Sequence, residues 1–225
     1  MKNALLRQMK EEKLIVIIRG VKEEQMLPLL HAMYDGGIRL AELTFDPLNE
    51  TPNTLTADLV RAAKAEFGDR MHIGVGTVLT TQQVELAAAA GAEFAISPNT
   101  DPEIINLCRM NDMLSIPGAL TPTEIVNAYN AGADVIKLFP SDTMGIPYIK
   151  AVRAPLRHIP MLAVGGVNTQ NLAEVLATGV WGVGIGSGVV RHDLLAKNDY
   201  AGITALAREY TDIIKRKYLN ILDIL

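Results

Sequence analysis

The stretch from Ala133 to Pro140, ADVIKLFP, is a short apolar run that carries one cation, Lys137, near its end. Its length and its Val135, Ile136 and Leu138 predict a buried strand, the kind from which parallel sheets are built. Burying an ammonium group costs several kcal/mol unless its pKa falls or it finds a partner. Two explanations stand open on this stretch alone. The amine is held for chemistry, as a nucleophile toward a ketone, or it is a strand-end lysine that snorkels to solvent.

Working outward, the run is entered through Gly132, and the same entry recurs. YDGGIRLAEL, AAGAEFAIS, NAGADVIKL and ATGVWGVGI place Gly37, Gly91, Gly132 and Gly179 at spacings of 54, 41 and 47. Glycine suits the left-handed residue that follows a helix. Between these, IIRGV, GVGTV, SIPGAL and AVGGV end in Gly20, Gly76, Gly118 and Gly166 at spacings of 56, 42 and 48. The two series run in step, so a pair of βα units is used four times.

Strands are predicted near 13–19, 38–45, 71–77, 93–97, 113–117, 133–139, 160–165 and 180–186, each followed by a stretch with helical spacing. Eight alternating units predict an α/β fold, a (β/α)8 TIM barrel with an extra N-terminal helix, residues 1–225 forming one domain. The composition agrees, with 49% apolar residues but only 5% aromatic ones among 225, as aliphatic strands under Ala- and Leu-rich helices require.

The net charge of −4 is mild and unclustered, which argues against nucleic acid or an anionic membrane as partner. No apolar run approaches the length of a membrane span. MKNALLRQMKEEK reads as a surface helix, not a signal peptide. The single Cys108 excludes an internal disulfide and fits a reducing, cytoplasmic setting as a buried thiol.

Active sites of such barrels lie at the C-terminal rim, and polar residues gather at these strand ends: Arg19, Glu42, Thr44, Thr77, Ser97 and Lys137. Alternation along the strand sets Val135 and Phe139 on the same side as Lys137, and Glu42 with Thr44. Strands two and six are opposite each other in a ring of eight, so Glu42 and Lys137 can meet across the mouth.

Lys137 would supply an amine, Glu42 a proton shuttle if burial raises its pKa, and Arg19 a repulsive charge for the lysine or an anchor for an anion. The competing account is a structural ion-pair network at the rim. Thr44 and Thr77 are either ligand contacts or partners of backbone groups.

Val164-Gly165-Gly166-Val167 and Gly184-Ile185-Gly186-Ser187-Gly188 have the form of a barrel phosphate site, though tight turns alone would also need the glycines. The four histidines do not cluster, so no metal site is expected.

These residues resemble the 2-dehydro-3-deoxy-6-phosphogluconate aldolase and 4-hydroxy-2-oxoglutarate aldolase family. VIIRG, AELTF, GVGTVLT, FAISPN, IPGALTPTEI, DVIKLFPS and VGGVN occur in the family's order over nearly the whole chain, to about Ile214.

The resemblance implies a cofactor-free class I aldolase that releases pyruvate and an aldehyde, glyceraldehyde 3-phosphate or glyoxylate, from a keto acid. Lys137 matches the Schiff-base lysine, Glu42 the proton shuttle, Thr77 a pyruvate carboxylate contact, and Gly165 and Gly166 phosphate contacts. It also implies a homotrimer.

Two departures bear on substrate. Where many members carry an arginine shortly after the glutamate, this chain has Thr44-Phe45-Asp46-Pro47, and an aspartate cannot clamp a carboxylate as arginine does. The last glycine turn also differs in the placement of Ser187.

Two rivals remain at this level, a phosphate-binding isomerase or epimerase and a non-catalytic sugar-phosphate binder. The C-terminal TDIIKRKYLNILDIL sets Ile214, Tyr218, Ile221, Leu222 and Leu225 on one stripe, for packing on the barrel or for a subunit contact.

Overall fold

The structure, a computed structural model, describes residues 2–48 and 52–222, with side chains through residue 216. Its strands are β1 (Leu14–Ile18), β2 (Leu40–Thr44), β3 (His72–Gly76), β4 (Phe94–Ile96), β5 in two pieces (Leu114–Ile116 and Gly118–Ala119), β6 (Ile136–Leu138), β7 (Met161–Val164) and β8 (Gly182–Ile185). Every pairing is parallel, and β1 pairs with both β2 and β8. β5 is split at Pro117, which has no N–H to give a ladder. Its first piece pairs with β4 and its second with β6, so the broken strand closes the ring. The strands fall inside the predicted spans, except that β5 runs on past Pro117.

Helices α2 (Glu23–Asp35), α3 (Asn53–Phe67), α4 (Thr81–Ala89), α5 (Pro102–Met110), α6 (Pro122–Asn130), α7 (Ser141–Arg153), α8 (Leu172–Ala177), a short α9 (His192–Leu195) and α10 (Tyr200–Leu222) cover the outside. Their starts are written locally. Thr80 with Gln83 and Thr121 with Glu124 form capping boxes, and Asp101 caps α5 ahead of Pro102. Gly37, Gly91, Gly132 and Gly179 have φ of 95, 86, 98 and 90°, the left-handed exits inferred from their periodicity.

Two cores result. One lies between strands and helices; the other fills the barrel with Ile15, Leu40, Phe94, Leu114, Val135 and Leu162. Its floor is the N-terminal helix α1 (Lys2–Glu12), whose Leu5 and Met9 are buried against these side chains. The sequence predicted a surface helix, but this one is a plug. Lys2 pairs with Asp134 at 3.0 Å, and Gln8 bonds His72. Met9→Ala should therefore cost about 2–4 kcal/mol, as for other buried truncations. A urea melt with an unchanged midpoint would show that the plug is dispensable.

α10 seats on α2 through Thr204 and Thr211, whose hydroxyls donate to Ala32 O at 3.0 Å and Gly36 O at 2.8 Å. Ile214 is buried there. Tyr218, Ile221, Leu222 and Leu225 of the predicted stripe lie outside the described side chains. Among the described residues no helix is long and apolar enough to cross a membrane.

Candidate active site

A cavity of about 930 Å³ opens at the C-terminal rim. Glu42, from the middle of β2, and Lys137, from the middle of β6, both point into it, with exposures of only 1% and 7%. The pleat requires this. Leu40 and Glu42 share one face of β2, as Val135, Lys137 and Phe139 share one face of their segment, and Leu40 and Val135 fill the barrel below.

Desolvation by burial is the main influence on both groups. It raises Glu42 from the usual 4.5 to about 7, against the opposing charges of Lys137 and Arg19. It lowers Lys137, opposed by Glu42 and assisted by the charge of Arg19. No salt bridge closes between the two, and Glu42 Oε2 has no hydrogen-bond partner among the described residues. The lysine Nζ instead stands 4.6 Å from the centroid of the Phe139 ring, which forms the wall beside it. A tight ion pair would hold both groups charged; this arrangement leaves each able to lose its charge.

Space for the Glu42 carboxyl comes from the neighbouring strand. A Cβ on Gly76 would overlap Glu42 Oε1, and one on Gly74 would overlap the Phe94 ring. Both glycines are therefore voids that larger side chains occupy.

Arg19, at the end of β1, donates from Nη2 to Thr77 Oγ1 at 3.2 Å. A guanidinium only donates, so the Thr77 hydroxyl proton is left to point elsewhere. Thr77 sits at φ 56°, a left-handed conformation that a β-branched residue rarely adopts, and its residue lines the cavity.

Thr44 is not brought to this cavity. Its hydroxyl donates to Ile18 O at 3.1 Å, and it lines a separate cavity of about 410 Å³ with Asp46. The cause is the strand end, where the side chain satisfies a neighbouring carbonyl. Asp46 Oδ1 accepts from Leu48 N at 3.0 Å, so this aspartate folds into its own turn.

In the turns after β7 and β8, Gly165, Gly166, Gly186 and Ser187 all line the main cavity. The Gly165 carbonyl accepts from Ser141 Oγ at 2.9 Å and the Gly166 carbonyl from Asn171 Nδ2 at 2.9 Å. Among the described residues, the N–H groups of Gly166, Ser187 and Gly188 meet no protein acceptor. Three such donors in two adjacent turns make a nest suited to an anion. His192 also lines this cavity. The sequence showed only that it follows strand eight, because nothing local reveals how that turn folds back. Among the described residues no group of three or more His, Cys, Asp or Glu is placed to hold a metal ion.

A parallel eight-stranded barrel with a buried amine of lowered pKa and a carboxyl of raised pKa at its C-terminal mouth defines an enzyme of the (β/α)8 class equipped for amine and proton-transfer chemistry. The model of the KDPG and KHG aldolases matches residues 5–206. The chain is 34% identical over 203 residues, 90% of its length and 96% of the relative's, to a 2-dehydro-3-deoxy-6-phosphogalactonate aldolase of Escherichia coli. It is 32% identical to a 2-dehydro-3-deoxy-phosphogluconate aldolase of Treponema pallidum, over 90% and 93% of the two chains.

Its fold matches the crystal structure of the KDPG aldolase of Legionella pneumophila, which holds pyruvate as a covalent carbinolamine, with a TM-score of 0.80 and 30% identity over 89% and 94% of the chains. The chain belongs to the KDPG and KHG aldolase family. It is a lyase of the pyruvate Schiff-base class.

Proposed function

We propose that the enzyme cleaves a phosphorylated 2-keto-3-deoxy sugar acid to pyruvate and glyceraldehyde 3-phosphate, with Lys137 as the Schiff-base amine and Glu42 as the proton shuttle. The observation that carries this reading is one cavity lined both by a buried Lys137–Glu42 pair and by backbone donors without protein acceptors. A substrate with a ketone at one end and a phosphate at the other suits both. 4-Hydroxy-2-oxoglutarate, the smaller alternative, would leave the glycine turns unused.

The uncharged Lys137 attacks the substrate ketone, and loss of water from the carbinolamine gives an iminium ion. Glu42, as carboxylate, takes the proton of the C4 hydroxyl while the C3–C4 bond breaks. The electron pair flows into the iminium, leaving an enamine and the aldehyde. Protonation at C3 and hydrolysis release pyruvate and restore Lys137. Thr77, oriented by Arg19, donates its hydroxyl to the keto acid's carboxylate, and Phe139 walls the imine from water.

Trapping with pyruvate and borohydride tests the amine: an adduct of pyruvate mass is expected in the native chain and absent in Lys137→Ala. An adduct on the variant would move the amine elsewhere. Comparing cleavage of the phosphorylated gluconate and galactonate acids with that of 4-hydroxy-2-oxoglutarate tests the substrate, and faster cleavage of the last would overturn the phosphate reading. The homotrimer belongs to the same proposal, supported by the family resemblance, and light scattering tests it. So does a cytoplasmic setting, supported by a single free cysteine, Cys108, in the sequence.

The raised pKa of Glu42 also sets a pH dependence. Between 4.5 and about 7 the folded chain binds a proton at Glu42 that the unfolded chain has released, so stability falls as pH rises through that window. Glu42→Gln should remove this fall. Cleavage needs the carboxylate, so kcat/KM should rise with an apparent pKa near 7. An activity profile flat from about pH 5 to 8 would show that the carboxyl is not the base.

A further inference from the structure

We infer that His192 is a specificity-determining residue that binds the phosphate group of the substrate. The inference rests on the phosphorylated-substrate reading above and adds the side chain that discriminates phosphate from hydroxyl.

Three of the four histidines are engaged elsewhere. His31 meets Glu66 at 3.1 Å, His72 lies between Glu93 and Gln8, and His158 packs edge-on to Tyr129. His192 has no side-chain hydrogen bond, ion pair or ring contact among the described residues, yet its ring lines the main cavity. The fold carries it there. After β8, Val189 N and Val190 N both bond Gly186 O, at 3.1 and 2.9 Å, and Arg191 N bonds Val189 O at 3.0 Å. This coil returns Val190 and His192 to the cavity and turns Arg191 away, where its guanidinium closes on Asp193 at 2.8 and 3.0 Å. His192 Cε1 comes within 3.7 Å of where a Cβ on Gly20 would stand, across the cavity's edge.

The ionisable side chains lining this cavity are Arg19, Glu42, Lys137 and His192. The first three serve the imine chemistry. The backbone donors of the glycine turns carry only partial charges; Lys137 is taken by the imine and Arg19 by its bond to Thr77, which leaves His192 as a cavity-lining side chain able to add a full positive charge. Phosphate esters carry nearly two negative charges at neutral pH, and an imidazole ring N–H can donate a hydrogen bond to them. A bound phosphate would favour the imidazolium and form a charge-assisted hydrogen bond with it. The other charges that face the ring are Lys22 and Glu24 at the start of α2, one of each sign, in a cavity of about 520 Å³ on its other side.

The test uses condensation of pyruvate with D-glyceraldehyde 3-phosphate or with D-glyceraldehyde. In His192→Ala, kcat/KM for the phosphorylated aldehyde should fall about tenfold through KM, with that for D-glyceraldehyde unchanged. The borohydride-trapped pyruvate adduct should be equal to that of the native chain. His192→Arg should restore the phosphate preference, because a guanidinium also donates charge-assisted hydrogen bonds to phosphate. Equal losses on both aldehydes, or a phosphate preference retained in His192→Ala, would overturn the role of His192 alone. A native enzyme with no preference for the phosphorylated aldehyde would overturn the phosphate reading and this inference with it.

Discussion

Replacing Lys137 by methionine should lower cleavage by about ten-thousand-fold or more, while the barrel stays folded and gains about 1 kcal/mol of stability. The two effects share one cause. The amine sits in a site that desolvates it, with no salt bridge to compensate, and that destabilisation is what frees its lone pair for attack. Methionine fills a similar volume with an apolar chain beside Phe139 and removes the cost. No unpaired buried charge results, because Glu42 without the lysine's field becomes still harder to ionise. A thermal melt together with borohydride trapping checks both halves. A variant that still traps pyruvate would refute the assignment, and one that melts several degrees lower would refute the account of burial.

Gly76→Ala should cost about a hundredfold or more in cleavage rate although the substitution adds one methyl group and touches no ligand-binding atom. The added Cβ would occupy the position of Glu42 Oε1, so the carboxyl must rotate away from its place opposite Lys137. Overpacking should also destabilise the fold by about 1–3 kcal/mol. To separate the two, Gly76→Ala is combined with Glu42→Gln. If the glycine acts only through the carboxyl, the double variant is no slower than the worse single one. Gly74→Ala serves as the control, since its Cβ would strike Phe94 and should reduce stability without targeting the shuttle. Full activity in Gly76→Ala would show that the carboxyl has another productive position.

Much of this site was legible in the residues. A lysine inside ADVIKLFP contradicts its apolar surroundings, and Glu42 inside LAELT does the same. Period-two alternation then set both on inward faces. The glycine turns were equally plain. Other parts were not. Thr44 shares the parity of Glu42, but at the strand end its hydroxyl meets Ile18 O, a partner that only the β1–β2 register supplies. Gly76 stood out only as a glycine ending an odd-numbered strand, yet its role is to leave room for a side chain on the next strand. His192 has no signature at all, because its place depends on the coil after β8.

The sequence by itself determined what is periodic and what is out of place: eight strands, the helices between them, the left-handed glycines and the two ionisable groups in apolar runs. These follow from local geometry and from the cost of burying charge, which act on neighbours in the chain. Only the tertiary structure decided what depends on distance between segments. That includes the closure of the ring at the broken fifth strand, the N-terminal helix as floor rather than surface, the void at Gly76 that receives Glu42, and the place of His192 on the cavity that the glycine turns line. Such contacts join residues tens of positions apart, and their geometry is set by strand register and side-chain volume.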